Sequence, residues 1–445
     1  MKQKLTNRFG WINENNIVEN DGRLTVTVAP DKLTEVAAFL KECGYDFLVD
    51  MVGMDYGDSL GVIDYVARGA DTSDLIALKT SVSDREHPLI PTVSGIWRVA
   101  QIYEREVHDY FGIRFIGNND MRRLFLRESW KGYPLRKDYD ADPNINPLPL
   151  ENEPIADMDT IPVYGIDADG KETVTYRPIY GDDDYVVNIG PQHPATHGVL
   201  HLRVALDGEI VRSVDPHFGY LHQGIEKLSE GYTYPQIQHR NDRLDDLSAT
   251  IKPHAFCLCC EKALQMDVPE RAVVIRTIFD ELTRIASHLI GWGSICNDMG
   301  AITAFMYGLR DREKIMDIFE ETAGGRLMAA YDVIGGVASD LHPNFRRRVK
   351  EFIPYMRKML HEHHLLFSAN PIATGRMKGV GHLSLEQALA LGITGPSGRA
   401  SGWKHDLRKA ETYAAYGQVD FAEVQRQEGM TVDVYYLRIT DVEKS

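Results

Sequence analysis

The chain has 445 residues, 43% of them apolar, and a formal net charge of −16. That length supports roughly two to four domains with real cores. The acidic balance argues against a nucleic-acid face, which needs clustered lysine and arginine, and against a broad electrostatic hold on anionic lipid.

No apolar run reaches the ~18 residues of a membrane-spanning helix. The start, Met1-Lys-Gln-Lys-Leu-Thr-Asn-Arg8, lacks the apolar core of a secretory signal. Both features predict an intracellular protein that meets membranes only through partners. Five cysteines, Cys43, Cys257, Cys259, Cys260 and Cys296, are odd in number and not spaced as a disulfide framework. Cys257-Leu-Cys-Cys260 looks like a metal cluster, but no second ligand pair answers it. Buried small apolar residues on a helix are the expected reading.

Residues 1–138 read as one α/β domain. Arg23-Leu-Thr-Val-Thr-Val-Ala29 alternates as a strand. Asp31 is placed to cap a helix whose Leu33, Val36, Leu40 and Cys43 share a face, and Gly44 ends it. Strands are expected near 46–52, 60–68 and 74–83, then a helix over 96–111. From Glu104 to Asp138 acids, bases and aromatics are densely mixed. A solvated helix with pairs such as Glu104 and His108 is the bland reading, and a docking surface the sharper one.

Residues 139–183 are acidic and proline-rich without helical period, which predicts an extended linker between two domains. The second domain, 184–445, opens on Asn188-Ile-Gly-Pro-Gln-His-Pro-Ala-Thr-His-Gly-Val-Leu200, read as strand, tight turn, strand. A turn so rich in glycine and proline is stiff enough to hold an imidazole in place. On spacing alone, however, His193 and His197 are ordinary turn histidines.

From Tyr232 onward the pattern is helical. One helix is expected over 233–265, kinked at Pro253. Another starts at Asp267-Val-Pro-Glu270, capped by Asp267, with the stripe Val274, Ile275, Ile278, Leu282, Ile285 and Leu289 facing a core. Further helices are expected over 301–322 and 344–369, with a capping box at Ser384-Leu-Glu-Gln387. The fold class is therefore α+β: an N-terminal α/β domain, a linker, then a small β layer with an antiparallel helical bundle. His361-Glu-His-His364 lacks the last histidine of a zinc-protease helix and reads as a solvated face. Gly395-Pro-Ser-Gly-Arg399 has no Walker lysine, and no Rossmann glycine pattern follows a strand.

Glu104-Arg-Glu106, Asp109-Tyr-Phe-Gly-Ile113, Asp120-Met-Arg-Arg123 and Gly132-Tyr-Pro-Leu-Arg-Lys-Asp138 together resemble the signature of the 30-kDa (C) subunit of respiratory complex I. The run 188–200 begins a collinear set that resembles the 49-kDa (D) subunit. It continues with His222-Gln-Gly-Ile-Glu-Lys227, Arg243-Leu-Asp245, Glu281-Leu-Thr-Arg-Ile-Ala-Ser-His-Leu289 and Asp298-Met-Gly-Ala301. Arg310-Asp-Arg-Glu313, Gly335-Gly-Val337 and Gly392-Ile-Thr-Gly-Pro-Ser-Gly-Arg-Ala-Ser-Gly402 complete it. The resemblance is to fused C/D subunits of a proton-translocating NADH:quinone oxidoreductase.

That resemblance implies a peripheral-arm subunit, not active alone, on the cytoplasmic side of a cell inner membrane. Its second domain would resemble the large subunit of nickel–iron hydrogenases. The first hydrogenase Cys-x-x-Cys pair falls on Asp245 and Ser248, so the nickel site cannot be built. In the family the vacated cavity takes the quinone headgroup beside a [4Fe-4S] cluster held by a B-like partner subunit. An I-like ferredoxin subunit and a membrane H-like subunit are further implied partners. This chain would bind no metal or flavin, and NADH would be oxidised elsewhere. The family also continues past Asp433-Val-Tyr-Tyr-Leu-Arg438, so the second domain reads as incomplete.

By the same resemblance His197 meets the headgroup and supplies a proton. Asp298 pairs with that histidine, and Arg243 lies near the partner's cluster. Two positions depart from the family. Asp246 stands where the second headgroup donor is a tyrosine, and a carboxylate donates a hydrogen bond only when burial keeps it protonated. Met328 stands where many members carry a cluster-proximal histidine. It cannot titrate, which predicts a less pH-dependent, lower-potential cluster suited to menaquinone. The competing expectations are a docking scaffold that does no chemistry, and the same role in a complex fed by ferredoxin or another donor.

Overall fold

The computed structural model describes residues 1–20, 22–69, 71–140, 159–168 and 170–445. It divides into two compact units: Met1–Lys227 with Leu389–Gly392, and Leu228–Ala388 with Ile393–Ser445.

The first unit starts with helix α1 (Lys2–Arg8) and a five-stranded sheet of β1 (Ile17–Asn20), β2 (Arg23–Thr27), β3 (Phe47–Asp55), β4 (Leu60–Arg68) and β5 (Asp71–Val82). The strand order is β1-β2-β5-β4-β3. Only β2 and β5 run parallel, with Leu24 opposite Ile76, because α2 (Pro30–Glu42) and the β3–β4 hairpin carry the chain across before β5. Leu33, Val36, Ala37 and Leu40 bury the expected face of α2. Its N-cap is Ala29 rather than Asp31: Pro30 opens the helix, which moves Asp31 into the first turn, where its charge suits the helix dipole. Helix α3 (Ala100–Phe111) packs on β3, and Gly53 admits the Phe111 ring where a Cβ would collide with it.

Two short parallel strands follow, β6 (Leu89–Pro91) and β7 (Arg114–Ile116). Of the stretch expected to be an extended linker, 141–158 lies outside the described residues. Its second half is a hairpin, β8 (Thr160–Ile166) with β9 (Glu172–Pro178), Val163 opposite Thr175. The alternation Glu172-Thr-Val-Thr-Tyr176 is a strand pattern masked by acidic and proline-rich neighbours. A three-stranded antiparallel sheet then forms from β10 (Tyr185–Ile189), β13 (His201–Asp207) and β14 (Ile210–His217). Between β10 and β13 lies the miniature pair β11 (Gln192–His193) and β12 (Gly198–Val199).

Helix α4 (Ile225–Ser229) leads to the second unit, which is mainly helical. The single helix expected over 233–265 is instead α5 (Tyr234–Asn241), a 3₁₀ turn at Asp246–Ser248 and α6 (Ile251–Leu264). Pro253 does not kink α6. It sits in the first turn, where its missing N–H leaves no intrahelical bond unmade. Helix α7 (Glu270–Asp298) is 29 residues long and is capped by Pro269, not Asp267. Ile275, Leu282, Ile285 and Leu289 of its stripe are buried, while Val274 is exposed.

Helices α8 (Ile302–Ala323) and α9 (Phe345–His363) pack with α7 around Phe279, Ile315, Phe319 and Phe352. Strands β15 (Asp332–Val333) and β16 (Gly336–Val337) pair between α8 and α9. Short helices α10 (Pro371–Met377), α11 (Leu385–Ala390), α12 (Gly395–Ala400) and α13 (Leu407–Ala410) precede α14 (Thr431–Lys444), which packs on α7. Ser384 and Gln387 make the expected reciprocal cap of α11, at 3.0 and 3.1 Å. No helix among the described residues is long and apolar enough to cross a membrane.

Candidate functional site

In the first unit the glycine- and proline-rich turn folds onto itself. A Cβ on Gly190 would collide with the Leu200 carbonyl oxygen, so only glycine lets β10 and β13 close there. Thr196 Oγ1 lies 2.9 Å from both His193 O and Gly198 O, and Ala195 N–H donates to His193 Nδ1 at 3.2 Å. His193 therefore caps the short 3₁₀ turn, the structural role expected of it. His197 closes that turn, exposed and in the left-handed conformation at φ 51°.

Behind the turn lies a polar network that the sequence did not announce. His201 Nε2 is 3.0 Å from Asn188 Oδ1, and its Nδ1 is 3.2 Å from the Tyr220 hydroxyl. Burial holds the His201 imidazole below its usual range. His217 Nε2 is 2.8 Å from Asp215, whose carboxylate also accepts two bonds from Arg122 at 2.8 and 3.0 Å. Burial alone would raise the Asp215 carboxyl, but His217 and Arg122 hold it well below the usual range.

The charge-dense segment 104–138 is neither a solvated helix nor a docking face at its main charges. Glu104, Arg105, His108, Asp109, Asp120 and Arg122 are all buried. Asp109 accepts the N–H groups of Leu124, Phe125 and Leu126 and pairs with Arg123 at 2.9 Å. Glu104 accepts from Thr92, Val93 and Asn118, and burial pushes it up to about 7. These charges fasten a loop to α3. His222 is likewise held by the Tyr110 hydroxyl at 3.0 Å.

The other sequence-predicted residues lie in the second unit. Arg243, at the end of α5, is half-exposed and contacts His239 O at 2.7 Å and Asp242 at 2.8 Å. Asp246 opens the 3₁₀ turn, is exposed, and lines a small cavity with Thr283, Ala286, Arg312 and Leu327. The burial that the tyrosine-like role would require of Asp246 is thus not supplied at that turn. Met328, next to Leu327, is exposed. Asp298 is the last residue of α7, about 18 Å further along the helix axis than Ala286. The second unit therefore brings Asp246 and Leu327, the neighbour of Met328, to one cavity and holds Asp298 apart.

Two expectations on other motifs change. His363 is buried, stacked on Trp292 with ring centroids 4.2 Å apart and 2.8 Å from Asp311, so only its neighbours face solvent. Cys259 is exposed, while Cys257 is buried and its thiol is pushed up to about 12 by burial. Cys257 shares the inner face of α6 with His254 and Glu261, and that i, i+3, i+7 spacing was a readable sign of a polar face turned inward. His254 Nδ1 is 2.6 Å from Asp280, and Asp332 lies beside both.

Comparison with known proteins agrees with this architecture. Residues 26–144 match the model for the respiratory-chain NADH dehydrogenase 30 Kd subunit, and residues 298–445 match that for the 49 Kd subunit. The C/D subunit of NADH-quinone oxidoreductase from Bacteroides thetaiotaomicron is 51% identical over 422 residues, covering 92% of this chain and 79% of that protein. Two further C/D subunits align similarly. That of Phocaeicola vulgatus is 50% identical over 94% of this chain and 80% of the relative, and that of a Sulfurihydrogenibium species is 34% identical over the whole chain and 79% of the relative. Two subunit signatures in one chain, together with relatives aligned over nearly its full length, place it among the fused C/D subunits of NADH-quinone oxidoreductase, respiratory complex I, and the chain belongs to that family.

Proposed function

We propose that this chain lines the quinone-headgroup cavity of the peripheral arm, beside a [4Fe-4S] cluster held by a B-like partner. I-like and H-like partners complete its surroundings at the cytoplasmic face of the inner membrane, so the chain meets the membrane through them. Its 49-kDa-like region, 184–445, has the ancestry of a nickel–iron hydrogenase large subunit with the metal site lost. The electrons come from the partner's cluster. This chain supplies protons and hydrogen bonds to the carbonyl oxygens.

The observation that carries this reading is the backbone of His197. A β-carbon in the left-handed region costs on the order of 1 kcal/mol, which glycine would avoid. Thr196 and His193 make side-chain hydrogen bonds that brace the turn. An exposed histidine kept at a position that glycine fits better is there for its ring. Asp298 supports the same reading. A carboxylate on the last residue of a long helix opposes the helix dipole, so helix stability does not explain it. By the family resemblance it is the residue that pairs with the His197 ring. Arg243 favours the reduced cluster, and Met328 leaves cluster potential less dependent on pH, which suits menaquinone.

Asp246 is the weak member of the set. It is exposed, lines a cavity with Arg312 and stands where the family has a tyrosine, so the headgroup relies on His197 as its donor. The test is His197→Gly in the intact complex. Assembly and cluster spectra stay normal, the turn is as stable as before or more so, and quinone reduction falls by about 10²-fold or more. An assembled variant that retains its rate would leave the chain a docking scaffold.

A further inference from the structure

The inner face of α6 and the facing side of α7 carry two layers of polar pairs. In one, Glu261 and Arg276 form a bidentate pair at 2.7 and 3.1 Å, and the remaining donors of Arg276 go to Val333 O and Gly336 O. Gly335 N–H donates to Glu261 at 2.8 Å. That layer is closed in charge and in hydrogen bonds. The next is not. His254 Nδ1 binds Asp280 Oδ2 at 2.6 Å, and the other Asp280 oxygen has only Thr250 Oγ1, at 3.4 Å. His254 Nε2 and both Asp332 oxygens have no hydrogen-bond partner. All three residues are at least 98% buried. One ligating atom from each lies within 4.8 Å of the other two.

We infer that His254, Asp280 and Asp332 form a buried site for one divalent transition-metal ion, which ties α6 and α7 to the β15–β16 hairpin. Two carboxylates and a neutral imidazole carry a charge of −2, which a dication cancels. The nearest guanidinium, Arg276, is already neutralised by Glu261. An imidazole nitrogen with two carboxylate oxygens suits zinc, manganese or ferrous iron rather than calcium or magnesium. His254 Nδ1 and Asp280 Oδ2 already stand side by side at 2.6 Å, and an ion bound to both would replace the hydrogen bond between them. Metal–donor distances of ~2.1 Å set donors roughly 3–3.5 Å apart, so His254 and Asp280 must part slightly and Asp332 must close on them. Asp332, bound to nothing else, is free to make that adjustment. The sequence alone gives this chain no metal. These residues lie 26 and 52 positions apart and meet only through packing, so no ligand spacing announces them.

The competing occupant is a proton. Burial, and then the Asp280 charge, push the Asp332 carboxyl up to about 7. Elemental analysis of the full chain, purified without partners and dialysed against metal-free buffer, separates the two. The expected content is about one divalent transition metal per chain, falling at least ~5-fold in both Asp332→Asn and His254→Gln. A wild-type chain with less than about a tenth of an equivalent overturns the site, as does metal kept in full by both variants. If the variants do not fold, the wild-type content still decides. Added Zn²⁺ or Mn²⁺ raises the melting temperature of chelator-stripped wild type if the site exists and leaves it unchanged if it does not.

Discussion

Two buried charge clusters in this chain are built on opposite terms. Around α3, Asp109, Asp120 and Asp215 have a donor on every carboxylate oxygen, from Arg122, Arg123, His217 and backbone N–H groups. Between α6 and α7, Asp332 has none on either. Burying a charge is costly unless it is paired and hydrogen-bonded. The first cluster therefore explains itself as a fastener. The second needs an occupant from outside the chain, and the same chemistry, carboxylate beside histidine, has different meanings in the two places.

The largest expected effect tests the fastener. Arg122→Met leaves Asp120 and Asp215 buried without their main partner and should cost about 3–5 kcal/mol in the first unit, read by chemical denaturation of the full chain. The matching change in the other cluster, Asp332→Asn in metal-stripped protein, removes no hydrogen bond and should be neutral or stabilising. Equal losses in the two variants would erase the comparison.

The two clusters also differ in how far the sequence announced them. The sheet strands, the α2 stripe and the turn at 188–200 were legible, because alternation, helical period and glycine–proline punctuation are local signals. The burial of Glu104 and Asp109 was not. A charged residue in sequence does not say whether Thr92, Asn118 or the N–H groups of 124–126 will later surround it. The hairpin at 160–178 was hidden by the composition of its neighbours. Among site residues, the turn fixes where His197 stands, but its partners depend on long-range packing. The inward face of His254, Cys257 and Glu261 was available from spacing, yet Asp280 and Asp332 were not.

A smaller effect comes from a carboxyl near the fastener that it does not satisfy. Asp64 on β4 is buried, and its Oδ1 lacks a partner. Burial, then the Glu104 charge, raise its pKa well above 3.8. Below pH 3.8 both folded and unfolded chains hold the proton. Above it only the folded chain does, so stability falls as pH rises toward the folded value. Asp64→Asn should therefore stabilise the first unit by about 1–3 kcal/mol at pH 8 and change little at pH 4. Melting curves at the two pH values check this, and a pH-independent difference would show that Asp64 does not titrate as its burial requires.

The smallest effect separates satisfied from unsatisfied within one turn. His193 Nδ1 accepts the Ala195 N–H, so His193→Ala should cost about 0.5–2 kcal/mol locally, and His193→Asn should recover most of it, because an asparagine side chain caps the same N–H. Neither change touches the His197 ring, so the assembled complex should reduce quinone at the wild-type rate in both. Hydrogen exchange at Ala195 reads the cap and steady-state turnover reads the ring. If His193→Ala lowers turnover while exchange at Ala195 stays slow, the two histidines share the chemistry and His193 is more than a cap. Faster exchange with unchanged turnover instead leaves the headgroup to His197.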